Sequence, residues 1–331
     1  MPAEEATADE MTAAQVNSDL TRDDVAAFLA ERVGEARDLE PLTGGFWSSA
    51  WAYRAGGHEL VIRFGQERAW YEADRMAMGF DAPGLPVPEV TEVGTTSSGR
   101  AYAISSRRYG RFLEDTPVEQ ADAIAPTLTG LLVALFRTPA AADAPVIWHS
   151  AGGNPASWRD FLLGGLADDP AKAVHGWQAE LSADHRLATL FAAASERLTT
   201  LLDACPERRD LVHSDLLHGN VLVSEDSSQI EAVLSWKCSV RGDFLYDLAW
   251  CSFWASFHPG IAAAVPRLTL LQDPAVQADP AALVDAAARQ HCYELHVGLT
   301  HLGWNIWTGN QEALAATADR LAEVLDRGPR L

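Results

Sequence analysis

An aspartate and an asparagine five residues apart, Asp215 and Asn220 in "HSDLLHGN", carry the oxygen chemistry that phosphoryl transfer requires. A carboxylate can orient an attacking hydroxyl and take its proton, and an amide oxygen close by can ligate Mg²⁺. The spacing HxDxxxxN supplies both from one loop. Loop Asp and Asn are, on their own, ordinary turn formers. Here they lead into an apolar hairpin pattern, "NVLVSEDSSQIEAVLSW", and then into "GDFLYDLAW", where Asp243 and Asp247 add two carboxylates. The three segments in succession read as a catalytic loop rather than as a turn.

The elements that must hold this loop divide the chain into two regions. "LTRDDVAAFLAERVG" reads as a helix capped by Thr21 and stopped by Gly34. "LEPLTGGFWSSAWAYRAGGHELVIRFG" holds three extended runs, with Gly44-Gly45 in one connection and Gly56-Gly57 in a tight hairpin turn. A helix follows over roughly Arg68 to Met78, and "LPVPEVTEVGTTSSGRAYAISSRR" gives two more strands. Five strands and an inserted helix make a sheet region that ends near Arg108. Beyond it, Ala- and Leu-rich helical segments dominate, interrupted by the one hairpin, and "PAALVDAAARQHCYELHVGLTHLGWNIW" reads as helical throughout.

Composition bounds the ligand. The chain has 331 residues, enough for two domains, and a formal charge of −21. That charge argues against nucleic acid and against anionic membrane surfaces, while a cationic small molecule would be attracted; solubility alone also accounts for it. No apolar run reaches transmembrane length. Residues 1–20 contain no basic residue and no apolar stretch, so they read as a disordered acidic tail rather than a secretory signal. Cys205, Cys238, Cys251 and Cys292 show no paired spacing, which suits a cytoplasmic protein, and Cys238 and Cys251 read as small apolar packers. His291, His296 and His301 recur at five-residue steps, which turn each about 140° from the last on a helix and so argue against a shared metal.

At these residues the chain resembles the aminoglycoside phosphotransferase family, and within it the hygromycin B phosphotransferases most. "ELVIRFG", "LPVPEVTEVG", "AYAISSRR", "SWRDF", "HGWQ", "CPERRDLVHSD" and "GLTHLGWNIWTGN" fall in the matching order, over about Leu39 to Asn310. The resemblance implies an α+β, protein-kinase-like fold of two lobes. An N-terminal nucleotide-binding lobe, an antiparallel sheet with a helix, would span residues 21–108. A mainly helical catalytic and substrate-binding lobe would span residues 109–331. It implies ATP or GTP and Mg²⁺ as cofactors, a small hydroxylated and cationic substrate, and a monomer.

It also implies roles. Asp215 would be the catalytic carboxylate, Asp247 would brace its loop, and Asn220 would ligate Mg²⁺. Arg63 would contact nucleotide phosphates, as a planar fork where protein kinases use Lys. Glu72 is the expected ion-pair partner of Arg63, with Asp74 the competitor. Ser48 and Ser49 in "TGGFWSSA" would donate to phosphates, and Ser105 and Ser106 would contact adenine through the backbone. Asp160, Asp243, Trp250, Glu294 and Trp304 would face the acceptor, although Asp243 also reads as a helix cap, and most of the tryptophans read as core. His213 would order the catalytic loop.

One position departs from the pattern. After the hairpin the family reads Ile/Leu-Asp-Trp, and that Asp is the metal-binding carboxylate; here the chain reads "VLSWKC", with Ser235 in its place. A serine hydroxyl is an oxygen donor but carries no charge. The chain is therefore expected to be an O-phosphotransferase for an aminoglycoside resembling hygromycin B. The alternative is a catalytically impaired kinase-fold protein that binds nucleotide or antibiotic without efficient turnover.

Overall fold

The computed structural model describes residues 20–42, 47–149 and 154–330. The expected acidic tail, apart from Leu20, and the Gly44-Gly45 connection lie outside the described residues. Contacts divide the chain into two compact units, one holding the residues up to Met78 and Pro88–Arg108, the other Gly79–Val87 and Tyr109 onward. The segment Gly79–Val87, read as part of the sheet region, groups with the helical unit. Pro86 O accepts from Val233 N at 2.8 Å, and the Phe80 ring packs on Trp148 and Trp236.

The first unit opens with helix α1 (Arg22–Val33). Its Thr21 hydroxyl accepts from Asp24 N at 3.2 Å while Asp24 Oδ2 accepts from Thr21 N at 2.9 Å, a reciprocal cap, and Gly34 ends the helix at φ 76°. Strands β1 (Arg37–Leu42), β2 (Ser48–Ala55), β3 (His58–Gly65), β4 (Val90–Thr95) and β5 (Ala101–Ser106) form one antiparallel sheet in the order β1-β2-β3-β5-β4. Gly56 and Gly57, at φ 58° and 82°, supply the left-handed pair that a two-residue hairpin turn requires. The period of two along β3 then assigns faces. Ile62 and Phe64 join Val25, Leu29, Trp51, Tyr53, Tyr102 and Ile104 in one core against α1. On the opposite side Tyr71 of helix α2 (Arg68–Ala77) packs with Val90, Ala101 and Ala103.

The second unit begins with β6 (Arg111–Phe112) and α3 (Ala121–Phe136), followed by α4 (Trp158–Gly164) and α5 (His185–Leu201). The short strands β7 (Asp210–Val212) and β10 (Val240–Gly242) pair with each other, while β8 (Val221–Val223) and β9 (Ile230–Val233) form the expected hairpin with β6 on its edge. Helix α6 (Leu245–Trp254) is buried along its whole length and packs on α7 (Ala286–Trp307), which also contacts α5 and α8 (Gln311–Arg327). The expected continuous helix from Pro280 breaks instead at Val284 and Asp285, where Asp285 adopts φ 51° and α7 starts afresh. Gly242 has no substitute: a Cβ there would come within 2.3 Å of the Trp158 ring. Among the described residues no helix is long and apolar enough to cross a membrane.

Candidate active site

The chain leaves β7 and enters β8 through His213–Asn220, and nearly every backbone turn of this loop is tied down. Asp247, on the first turn of α6, accepts from His213 N and Ser214 N, each at 2.8 Å. Burial pushes its carboxyl up to about 7, against the pull of those two donors. The Ser214 hydroxyl donates to Cys238 O at 2.6 Å, and His213 Nε2 donates to Leu234 O at 2.9 Å with Trp236 edge-on to its ring. Leu216 and Leu217 are fully buried and anchor the middle of the loop. Asn220 Nδ2 donates to Asp215 O at 2.8 Å and Leu217 O at 3.0 Å. Ser214, His218 and Gly219 all take positive φ (60°, 63° and 78°), a concentration of unfavourable backbone that functional loops carry when their surroundings fix it. Between these ties the Asp215 side chain stays partly exposed, at 21 %.

An aromatic group adjoins it. His218 Nδ1 lies 3.0 Å from Asp215 Oδ1, and the His218 ring meets Trp254 and Trp250 edge-on, with centroids 4.9 and 5.8 Å away. His301 closes the group at 5.2 Å from Trp250 and 4.8 Å from Trp254. Burial pushes His301 down to about 4. Burial also draws His218 down, but the Asp215 carboxylate outweighs it and the net shift is upward. The Nε1–H groups of Trp250 and Trp254 are buried and have no hydrogen-bond partner among the described residues.

Ser235 follows β9 in the left-handed region at φ 62°, ψ 64°. Leu234 N donates to Asn220 O at 2.7 Å, which sets Ser235 one residue beyond a direct tie to Asn220. Both Nδ2 bonds of Asn220 go to loop carbonyls, leaving its Oδ1 as the atom a cation would take. The donor set is therefore an amide oxygen and a hydroxyl, hard oxygen ligands of the kind Mg²⁺ takes, but neutral. They would fit the ion in kind and add no charge to it. Asp243 is no substitute: it is fully buried, bidentate to Arg289 at 2.6 and 2.7 Å, and accepts from Tyr293 OH at 2.6 Å.

In the sheet unit, Arg63 projects from β3 between Ala50 of β2 and Ala103 of β5, whose small side chains leave room for the guanidinium. Its Nη2 lies 2.6 Å from Asp74 Oδ2, and its guanidinium carbon is 5.2 Å from the Tyr71 ring centroid. The expected partner Glu72 is corrected to Asp74. Asp74 lies on the buried stripe Tyr71–Asp74–Ala77 of α2, whereas Glu72 falls off it and pairs with Arg68 and Arg75. Ser48 and Ser49 start β2, paired with Gly65 and Phe64. The Ser49 hydroxyl is buried and has no hydrogen-bond partner among the described residues. Ser105 and Ser106 lie inside β5 with strands on both sides, and Ser106 N is spent on Glu89 O at 2.8 Å. That leaves the Ser106 N–H unavailable to adenine, and the Arg107 N–H is likewise spent on Glu59 O at 3.0 Å.

The remaining acceptor residues separate. Trp250 joins the group beside Asp215. Glu294 is corrected: it is 1 % exposed and pairs with Arg327 across the α7–α8 contact, and burial raises its carboxyl to about 7. Asp243 is likewise corrected from an acceptor contact to the buried acid of an ion pair. Asp160 is exposed on the first turn of α4, its N–H on the Ser157 hydroxyl at 2.9 Å, and Trp304 stands half-buried against Trp307. Cys238 is exposed rather than packed, while Cys251 is fully buried. Two residues of the site escaped the sequence reading. His218 was available as the extra titratable side chain in HxDxxHxN. Glu114, whose Oε1 accepts from Gly219 N, comes from a segment 105 residues away with no motif to mark it.

The phosphotransferase enzyme family (APH) matches residues 38–283. The chain belongs to that family: its fold is the kinase-like α+β fold, and it is a small-molecule phosphotransferase. It is 29% identical over 322 residues to the hygromycin-B 4-O-kinase of Escherichia coli, covering 94% of this chain and 87% of that protein. Among solved structures, a thermostable mutant of aminoglycoside phosphotransferase APH(4)-Ia in ternary complex with AMP-PNP and hygromycin B has a TM-score of 0.76 at 26% identity, over 91% of this chain and 98% of that one. Unmutated APH(4)-Ia gives the same TM-score of 0.76 at 26% identity, over 94% of this chain and 100% of its own. The GDP complex of aminoglycoside 2'-phosphotransferase-IIIa, at 14% identity and TM-score 0.59 over 93% of this chain and 99% of that one, shares the fold.

Proposed function

We propose that this protein transfers the γ-phosphoryl group of ATP or GTP to a hydroxyl of an aminoglycoside related to hygromycin B. The observation that carries the reading is the Asp215 loop, held from behind by Asp247 through two buried N–H donors and from within by Asn220. In this role Asp215 accepts the proton of the acceptor hydroxyl and aligns its oxygen for in-line attack on the γ-phosphorus. The bond to the β–γ bridging oxygen breaks and the nucleoside diphosphate leaves. Arg63, kept in place by Asp74 and Tyr71, is the cation assigned to the nucleotide phosphates. Mg²⁺, held by Asn220 Oδ1 and the Ser235 hydroxyl, would supply charge neutralisation to those phosphates. Trp250 and Trp254, packed edge-on to the His218 ring that meets Asp215, support an acceptor with apolar ring faces beside its hydroxyls.

The intact bracing of Asp215 favours a working enzyme over a binding protein that has lost turnover. The test is transfer from ATP and from GTP to a panel of aminoglycosides led by hygromycin B, with Asp215→Asn as the control. Product from the native chain and none from the variant is the expected result.

A further inference from the structure

Among the described residues, His218 is a polar side chain that touches Asp215 and that the phosphotransfer scheme leaves without a task. Its Nδ1 sits 3.0 Å from Asp215 Oδ1, on the carboxylate oxygen that an acceptor hydroxyl would leave unused if it bonded the other. The ring is packed on one side, while the side chain remains 40 % exposed. Its backbone is fixed at φ 63°, and the next residue, Gly219, donates its N–H to Glu114 Oε1. Trp254 and Trp250 stand edge-on to the ring at 77° and 78°. A loop carboxylate otherwise turns about two side-chain bonds, and only part of that range presents an oxygen to a substrate hydroxyl. A donor held on one oxygen selects that part.

We propose that His218 is a positioning residue for the transfer reaction: its Nδ1–H donates to Asp215 Oδ1 and holds the carboxylate with Oδ2 turned to the acceptor hydroxyl. No proton moves at the imidazole, so the bond persists through the catalytic cycle. The proposal rests on the phosphotransferase reading of the same loop. It distinguishes replacements by shape: an asparagine amide nitrogen reaches the place of Nδ1, whereas a glutamine amide nitrogen reaches that of Nε2.

The test is steady-state transfer to hygromycin B by His218→Ala, His218→Asn and His218→Gln, with Asp215→Asn setting the floor. His218→Ala and His218→Gln are expected to lower kcat about tenfold to a hundredfold, with both KM values within about twofold of native, and His218→Asn to recover most of the loss. Native kcat in His218→Ala, or equal losses in all three variants, would overturn the proposal. A second readout needs no turnover. In a long-range ¹⁵N–¹H correlation spectrum, recorded at alkaline pH where the ring is neutral, His218 should carry its proton on Nδ1 in the native chain and on Nε2 in Asp215→Ala. An Nε2–H tautomer in the native chain would refute the contact. Failure of the native chain to phosphorylate any acceptor would count against the functional reading alone, and the spectrum would still decide His218.

Discussion

Arg63 of β3 and Asp74 of α2 form an ion pair, Nη2 to Oδ2 at 2.6 Å, in which the acid is nearly buried and the guanidinium remains 20 % exposed. One carboxylate thus fixes a cation on the face of the sheet opposite the α1 core. Asp74→Asn should raise the KM for nucleotide and lower kcat/KM tenfold or more, because the guanidinium loses the partner that aims it. Glu72→Gln, which removes ion pairs with the exposed Arg68 and Arg75, should stay within about twofold of native. Kinetics with varied ATP separates the two variants, and equal losses in both would return the role to Glu72.

Asp247 holds the catalytic loop through two buried N–H groups. Asp247→Ala strands both, at about 1–3 kcal/mol for each unsatisfied donor, and should lower stability by about 3 kcal/mol or more as read by urea unfolding. Asp247→Asn keeps one acceptor oxygen and should lose roughly half as much. A negligible effect of the alanine variant would mean that the loop is held elsewhere.

Glu294 gives a pH dependence with a defined sign. Burial raises its carboxyl from 4.5 to about 7 in the folded chain, so the folded state favours its protonated form. That contribution is fully present below pH 4.5 and is lost as pH rises through about 7. Relative to Glu294→Gln, the native chain should lose on the order of 3 kcal/mol across that window. Parallel stability curves for the two would contradict the assignment.

Ser235 should be improvable. Its left-handed backbone is one that aspartate tolerates, so Ser235→Asp adds a carboxylate at the proposed metal position without new strain. The variant is expected to reach half-maximal rate at a lower Mg²⁺ concentration, by tenfold or more, and to turn over faster. An unchanged Mg²⁺ requirement would show that Ser235 is not a metal ligand.

What was legible in the sequence was local. The Thr21 cap, the Gly56-Gly57 turn, the five strands and the Asp215–Asn220 loop each declare themselves within a few residues. The strands β6, β7 and β10, at two or three residues, are too short to show a period. The errors fell where distant partners decide. Asp243 looked available until Arg289, 46 residues on, neutralised it in the core, and Glu294 until the α7–α8 contact buried it against Arg327. The choice between Glu72 and Asp74 was readable in principle, since Tyr71 and Ala77 mark the buried stripe three residues either side of Asp74.

The central claim is that Asp215 of this chain drives phosphate onto an aminoglycoside hydroxyl. The most direct measurement is mass spectrometry of hygromycin B after incubation with the native chain, Mg²⁺ and ATP or GTP, beside Asp215→Asn. The account predicts phosphorylated hygromycin B from the native chain and a rate at least about a thousandfold lower from the variant. Unmodified hygromycin B from a native chain that binds nucleotide, or equal product from both proteins, would contradict it.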